Sequence, residues 1–245
     1  MEKNLKAVLF DMGSTLLEFE NCTWEVLGRR CAESGYKLLK GIGVVLPGFE
    51  EYGLLLREEF IKARAEVEAN LKEFKFEQVA GNVFNRLKLN TSDGLYHRFL
   101  DKYYQPVTDQ ITLIDGAEEV LGHFRKLGLK IGIISNTIFQ EKYHLRELQR
   151  FGLYPYLDYC IFSSTFGMRK PHPRIFHEAL DELKVDASQA VFVGDRLVED
   201  VGGAQKAGMK GILKCHPGRD YTAPILPDAQ IRDLGELPKT VLNLF

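Results

Sequence analysis

The chain has 245 residues, 45% of them hydrophobic, enough for one large domain or a core domain carrying a smaller one. Its 32 Lys and Arg against 34 Asp and Glu leave a formal charge of -2, so no excess positive charge points to nucleic acid or an anionic membrane as partner. The cysteines, Cys22, Cys31, Cys160 and Cys215, follow no CxxC or metal-ligand rhythm and read as core thiols of a reducing compartment.

The start, "MEKNLKAVLF", is short and charged and runs straight into a strand, without a signal-peptide core. No segment approaches the roughly 18 uninterrupted apolar residues of a membrane span, and a soluble cytoplasmic protein is predicted. "KAVLF" carries β-branched and aromatic residues and then meets Gly–Ser–Thr, which predicts a buried strand ending at Asp11. From about residue 18 to 110 the pattern is helical, in three or four segments with short polar connections. "GIGVVLPGFE" (41–50), with its glycines and proline, reads as a loop. Acids and bases three and four apart in "LREEFIKARAEVEANLKEF" suit a solvated helix face.

Strand and helix then alternate. Strands are predicted over 129–136, 157–164, 189–195 and, more weakly, 209–215. Helices are predicted over 116–128, 140–152, 173–185 and 199–208, three of them stopping at a glycine. A short helix or turn in the tail packs by Leu237, Val241 and Leu244. Near-continuous apolar strands separated by helices predict an α/β class, a Rossmann-like open parallel sheet with helices on both faces. The α/β core would span 1–17 and 111–245, with a mainly helical domain over 18–110.

Ligands of such sheets bind at the carboxyl ends of the strands, where Asp11, Ser135 and Asp195 all stand. "GDRLVED" adds Asp200 five residues after Asp195. Three carboxylates at neighbouring strand ends raise one another's pKa unless a cation neutralises them. With no matching His or Cys, an all-oxygen set favours Mg2+. Lys170, in a loop between Arg169 and Pro171, can neutralise a carboxylate and a phosphate. Ser135 and Asn136 can offer a hydroxyl and backbone N–H groups to an anion. A nucleophile, a cation site, a fixed ammonium and donors are the parts that phosphoryl transfer needs. Asp11 would attack phosphorus and form an aspartyl-phosphate that water hydrolyses. The histidines show no HxH or HxxxH spacing and read as local structure, His172 being the one whose neighbourhood could approach a substrate.

At this point the whole chain resembles the haloacid dehalogenase-like hydrolase superfamily, in its phosphatase branch with a helical cap after the first strand. "DMGST", "IISN", "RKP" and "GDRLVED" occur in family order. The resemblance implies Asp11 as nucleophile and metal ligand, Gly13 as a carbonyl ligand, and Thr15 as support for that loop. It implies Ser135 as a phosphate ligand, Lys170 as the catalytic lysine, and Asp195 and Asp200 as acidic metal-site residues. Residues 18–110 would be a mobile cap closing over a small phosphorylated metabolite.

One position departs from the pattern. Most phosphatases of the family carry an aspartate two after the nucleophile, as proton donor to the leaving group, and here that position is Gly13. Such help is typically worth ~10²–10⁴-fold. One reading is a phosphomonoesterase without the usual acid, best on substrates with acidic leaving groups. The alternative is a non-catalytic magnesium- and phosphate-binding or protein-interaction member. A third keeps the family and changes the chemistry, as in dehalogenases or in phosphonate hydrolases that use a cap lysine, for which Lys37, Lys40 and Lys62 are candidates. Arg57, Arg64 and Arg86 are candidates to meet a charged substrate. Oligomeric state is open.

Overall fold

A computed structural model describes residues 5–90 and 94–245, apart from the side chains of Glu66, Glu68 and Ala69. The first four residues of the charged start, and the Ser92–Asp93 opening of the last predicted helix of the insert, lie outside the described residues. In chain order the elements are β1 (Ala7–Phe10), β2 (Leu17–Glu18), α1 (Trp24–Gly41), α2 (Phe49–Asn70), α3 (Phe76–Arg86), α4 (Gly94–Gln110), β3 (Thr112–Leu113) and α5 (Ala117–Lys126). There follow β4 (Lys130–Ser135), α6 (Glu141–Arg150), β5 (Tyr159–Phe162), α7 (Ser163–Phe166), α8 (Pro173–Leu183) and β6 (Ala190–Gly194). A π-helical turn, Leu197–Gly202, leads into α9 (Gly203–Lys206), then β7 (Lys210–Lys214), β8 (Ala229–Ile231) and α10 (Leu237–Leu244). The chain forms two compact units, Met1–Glu18 with Thr112–Phe245, and Phe19–Ile111.

The first unit holds a six-stranded sheet in the order β5-β4-β1-β6-β7-β8, and every pairing in it is parallel. β1 is inside the sheet, with Val8 opposite Ile131 on one side and Val191 on the other. All four residues of β1 are fully buried, as expected of a strand covered on both faces. Successive side chains point to opposite faces: Leu9 joins Phe192 and the apolar side of α8, whereas the Phe10 ring meets Phe124 of α5. The chain leaves β1 for β4 and β5 on one side, then returns to β6 on the other. That reversal places the crevice of an open α/β sheet at the carboxyl ends of β1 and β6.

The structure corrects three details. The sheet has a sixth strand, β8, where the sequence reading ended at residue 215; its three residues, Ala-Gln-Ile, are too short to show a period. The predicted strand 157–164 stops at Phe162, because Ser163 and Ser164 begin the single turn of α7. β2 and β3 form an unpredicted antiparallel ribbon, Leu17 opposite Leu113 and Glu18 opposite Thr112.

The second unit contains α1 to α4. Thr23 caps α1, its hydroxyl accepting from Val26 N. Aromatic side chains build the core: Phe76 stacks on Tyr103 at 4.1 Å, and Phe84 meets Phe99 edge-on at 4.9 Å. Arg86, one of the substrate-binding candidates, instead bridges Glu58 and Glu59 of α2. The candidate lysines have local partners as well: Lys37 with Glu33, Lys62 with Glu59, and Lys40 over the Tyr36 ring. No helix among the described residues is long and apolar enough to cross a membrane.

Candidate active site

β1 ends at Phe10, and Asp11 N donates to Val193 O, so the nucleophile candidate leaves the sheet beside β6. The turn that follows is tight. Leu16 N and Leu17 N both donate to Met12 O, Ser14 N donates to Leu17 O, and Ser14 has φ 54°. A left-handed backbone at a residue other than glycine costs about 1 kcal/mol, and the surroundings offset it. Lys214 Nζ donates to the Ser14 carbonyl at 2.9 Å. The Ser14 hydroxyl donates to Glu18 at 3.2 Å and accepts from Arg219 Nη2 at 3.3 Å. Thr15 is fully buried, and its hydroxyl has no hydrogen-bond partner among the described residues. The hydrogen bonds that hold the loop come from its own backbone, Lys214 and the Ser14 hydroxyl.

Lys170 is 2% exposed, and its ammonium lies 2.7 Å from both Asp11 Oδ1 and Asp200 Oδ1. Burial opposes its charge, but Asp11 and Asp200 outweigh burial and hold its pKa above the usual lysine value. Its placement depends on Asn136. The Asn136 side chain accepts from Lys170 N at 2.8 Å and donates to Lys170 O at 3.0 Å. The Asn136 side chain thus braces the lysine loop, a role the sequence did not signal. Ser135 ends β4 and is buried. The turn after it is fixed by Thr137, whose N–H donates to Ser163 Oγ and whose hydroxyl pairs with His144 Nε2 at 2.7 Å.

β6 delivers Asp195 directly after Gly194. A side chain at Gly194 would collide with the Asp200 carboxyl, so the glycine is what lets Asp200 fold back against the strand end. Asp200 sits in the π-helical turn, a distortion common at functional sites. Its Oδ2 accepts from Arg196 N at 2.8 Å. Its buried Oδ1 lies 2.7 Å from the Lys170 ammonium.

Asp11, Asp195 and Asp200 each present an oxygen within 4.8 Å of the other two, and all three are buried. Burial pushes the Asp11 carboxyl up to about 7; Asp200 and Asp195 add to that rise, and Lys170 opposes it. Burial also raises Asp195, with Asp200 adding and Arg219 opposing. Such a buried, oxygen-only set under electrostatic stress fits a hard divalent ion, whose charge would relieve all three groups.

Two basic residues were missed by sequence reasoning. Lys214 is buried at the end of β7, and Arg219 Nε donates to Asp195 Oδ2 at 2.5 Å. Lys214 obeys the strand-end rule that picked out the acids and could have been found by it. Arg219 lies in the loop beyond, where nothing local signals its target. His172 proves to be a cap, its Nδ1 accepting from Arg174 N at the start of α8.

A family model described as haloacid dehalogenase-like hydrolase matches residues 5–208. A glyceraldehyde 3-phosphate phosphatase of Methanothermobacter thermautotrophicus is 30% identical over 213 residues, covering 85% of each chain. A ribulose-1,5-bisphosphate 5-phosphatase of Halopiger xanaduensis is 28% identical, covering 84% of this chain and 83% of its own. The crystal structure of a HAD phosphatase from Thermococcus onnurineus superposes with a TM-score of 0.64 at 27% identity, over 96% of this chain and 97% of that one. The fold is shared more closely still with a 2-haloacid dehalogenase from Pseudomonas syringae, TM-score 0.72 at 24% identity, over 98% and 100% of the two chains. With its parallel sheet, helical insert and strand-end carboxylates, the chain belongs to the haloacid dehalogenase-like hydrolase family.

Proposed function

We propose that the protein is a magnesium-dependent phosphomonoesterase acting on a small phosphorylated metabolite. The observation that carries this reading is the Lys170 ammonium lying 2.7 Å from both Asp11 and Asp200, within a cluster of three buried carboxylates. Similarity to phosphatases of a triose phosphate and a sugar bisphosphate supports the same class, and directs attention to short sugar phosphates. The acidic cluster weighs against attack on carbon, which has no use for a cation beside a dianion.

Asp11 Oδ is the nucleophile. It forms a bond to phosphorus as the ester P–O bond breaks and the alkoxide departs. Lys170 favours the ionised, nucleophilic form of Asp11 against its burial, and neutralises the transferring oxygens. Ser135 donates to a phosphoryl oxygen, and the Asn136 backbone N–H is a second donor. Asp11, Asp195, Asp200 and the Gly13 carbonyl would hold Mg2+, which supplies charge neutralisation of the phosphate. Water then attacks phosphorus and releases Asp11. Gly13 gives the alkoxide no proton, so the leaving group takes one from water, and substrates with acidic leaving groups are the best served. Residues 18–110 act in this reading as the cap that carries specificity.

The test is a hydrolysis screen with and without Mg2+ on triose, pentose, aryl, acyl and nucleotide phosphates, with the Asp11→Asn variant in parallel. Metal-dependent turnover abolished by that substitution is expected. Binding of Mg2+ and phosphate without turnover on any substrate would favour the non-catalytic alternative, for which the empty position at Gly13 speaks.

A further inference from the structure

Arg219 reaches the site from the loop between β7 and β8, and the loop is built to hold it there. The Tyr221 hydroxyl accepts from His216 N at 2.8 Å and donates to the Asp195 carbonyl at 3.2 Å. Gly218 N donates to His216 Nδ1, and His216 Nε2 lies 3.3 Å from Glu18. Fixed in this way, Arg219 makes two contacts inside the site, Nε to the Asp195 carboxylate and Nη2 to the Ser14 hydroxyl. Its side chain is 13% exposed and that of Asp195 only 1%.

Charge then has a consequence that hydrogen bonding alone does not. Lys170 and Arg219 are ion-paired with the carboxylates, and Arg196 and Lys214 lie within electrostatic reach of Asp195, so Arg219 is one of several positive charges that offset the cluster. A bound dication would make the cluster more positive by two charges, an attractive setting for a phosphate dianion. Without Arg219 the same cluster would be more negative by one charge, with the dication or without it. We infer that Arg219 is a specificity-setting counter-ion that weakens metal binding and strengthens phosphate binding at the same site. It holds Asp195 in place while subtracting from the field that attracts a cation, and it returns that charge to the substrate anion. The inference rests on the divalent-cation reading above and assigns it a tuning residue outside the four motifs.

The two effects have opposite signs, which a merely structural role cannot produce, because a loosened site loses both ligands. Calorimetric titration of Mg2+ alone into wild type and Arg219→Gln, followed by inorganic phosphate at saturating Mg2+, reads them separately. In Arg219→Gln the Mg2+ Kd is expected to fall, and the phosphate Kd to rise, each by about fivefold or more. Unchanged or weaker Mg2+ binding in that variant, or unchanged phosphate binding, overturns the inference. Arg219→Lys keeps the charge and serves if the glutamine variant does not fold: its Mg2+ Kd should stay within about twofold of wild type, and a larger change overturns the charge argument. Absence of Mg2+ binding by wild type would instead sink the metal-site reading itself.

Discussion

Lys170→Met removes a buried ammonium and keeps most of the side-chain volume. Breaking a buried ion pair from one side costs about 3–5 kcal/mol, because the partner charge is left uncompensated. Two carboxylates lean on this ammonium at 2.7 Å, so the upper end, ~5 kcal/mol, is appropriate at pH 8 without divalent ions. For a chain of this length each kcal/mol is worth about 2–4 °C, which predicts a fall in Tm of more than ~10 °C. The pH dependence identifies the cause. Asp11 already titrates at about 7 when the lysine is present, and losing the lysine raises it further. A carboxylate with a raised folded pKa contributes stability that is complete below its unfolded value and is lost as pH rises through the folded one. The deficit of the variant should therefore be large at pH 8 and shrink toward pH 5, where a proton takes the place of the ammonium. Scanning calorimetry in EDTA at the two pH values measures this, and Mg2+ should restore part of the loss at pH 8. An equal deficit at both pH values would refute the electrostatic account and leave only packing.

Three further outcomes follow from the same geometry. Because a proton and a metal compete for Asp11, the thermal stabilisation by Mg2+ should grow from pH 5 to pH 8; stabilisation independent of pH would place the ion elsewhere. Gly194→Ala forces the Asp200 carboxyl away from the strand end, and overpacking of this kind costs about 1–3 kcal/mol; calorimetry should show weaker Mg2+ binding as well as lower Tm. Burial lowers His144 to about 3, so its contribution to stability, complete above about 6.5, is lost as pH falls toward 3 at up to about 1.4 kcal/mol per pH unit. His144→Gln, which keeps a polar partner for Thr137 and does not titrate, should flatten that acid limb in urea melts at pH 7, 5.5 and 4.

Much of the sheet was legible because its strands are covered on both faces, so "AVLF" and "AVFVG" are apolar without interruption and end abruptly in polar turns. The acidic half of the site was legible for a related reason: a carboxylate straight after a buried strand lies at the carboxyl end of the sheet. What stayed hidden was set by distance along the chain. Nothing near Asn136 signals that its side chain braces Lys170, 34 residues away. Arg219 meets Asp195 across 24 residues, and Lys214 meets Ser14 across 200. β8 and the β2–β3 ribbon were missed because elements of two or three residues take their conformation from the partner strand, not from a pattern of their own.

That ribbon gives the chain a seam. The strands on either side of the helical unit are paired face to face, Glu18 opposite Thr112, and Ile114 N donates to Leu16 O just below. Directly opposed residues of an antiparallel pair are about 4.5–5.5 Å apart at the Cα, a span that a two-residue Asn-Gly turn closes without strain. The sheet unit thus has in place the two arms of a hairpin whose tip happens to be 93 residues long, Phe19–Ile111. Excising that segment and closing the hairpin would leave every strand-end residue of the site on an uninterrupted sheet. The seam thus marks where the chain enters and leaves the helical unit, at two strands already paired to each other.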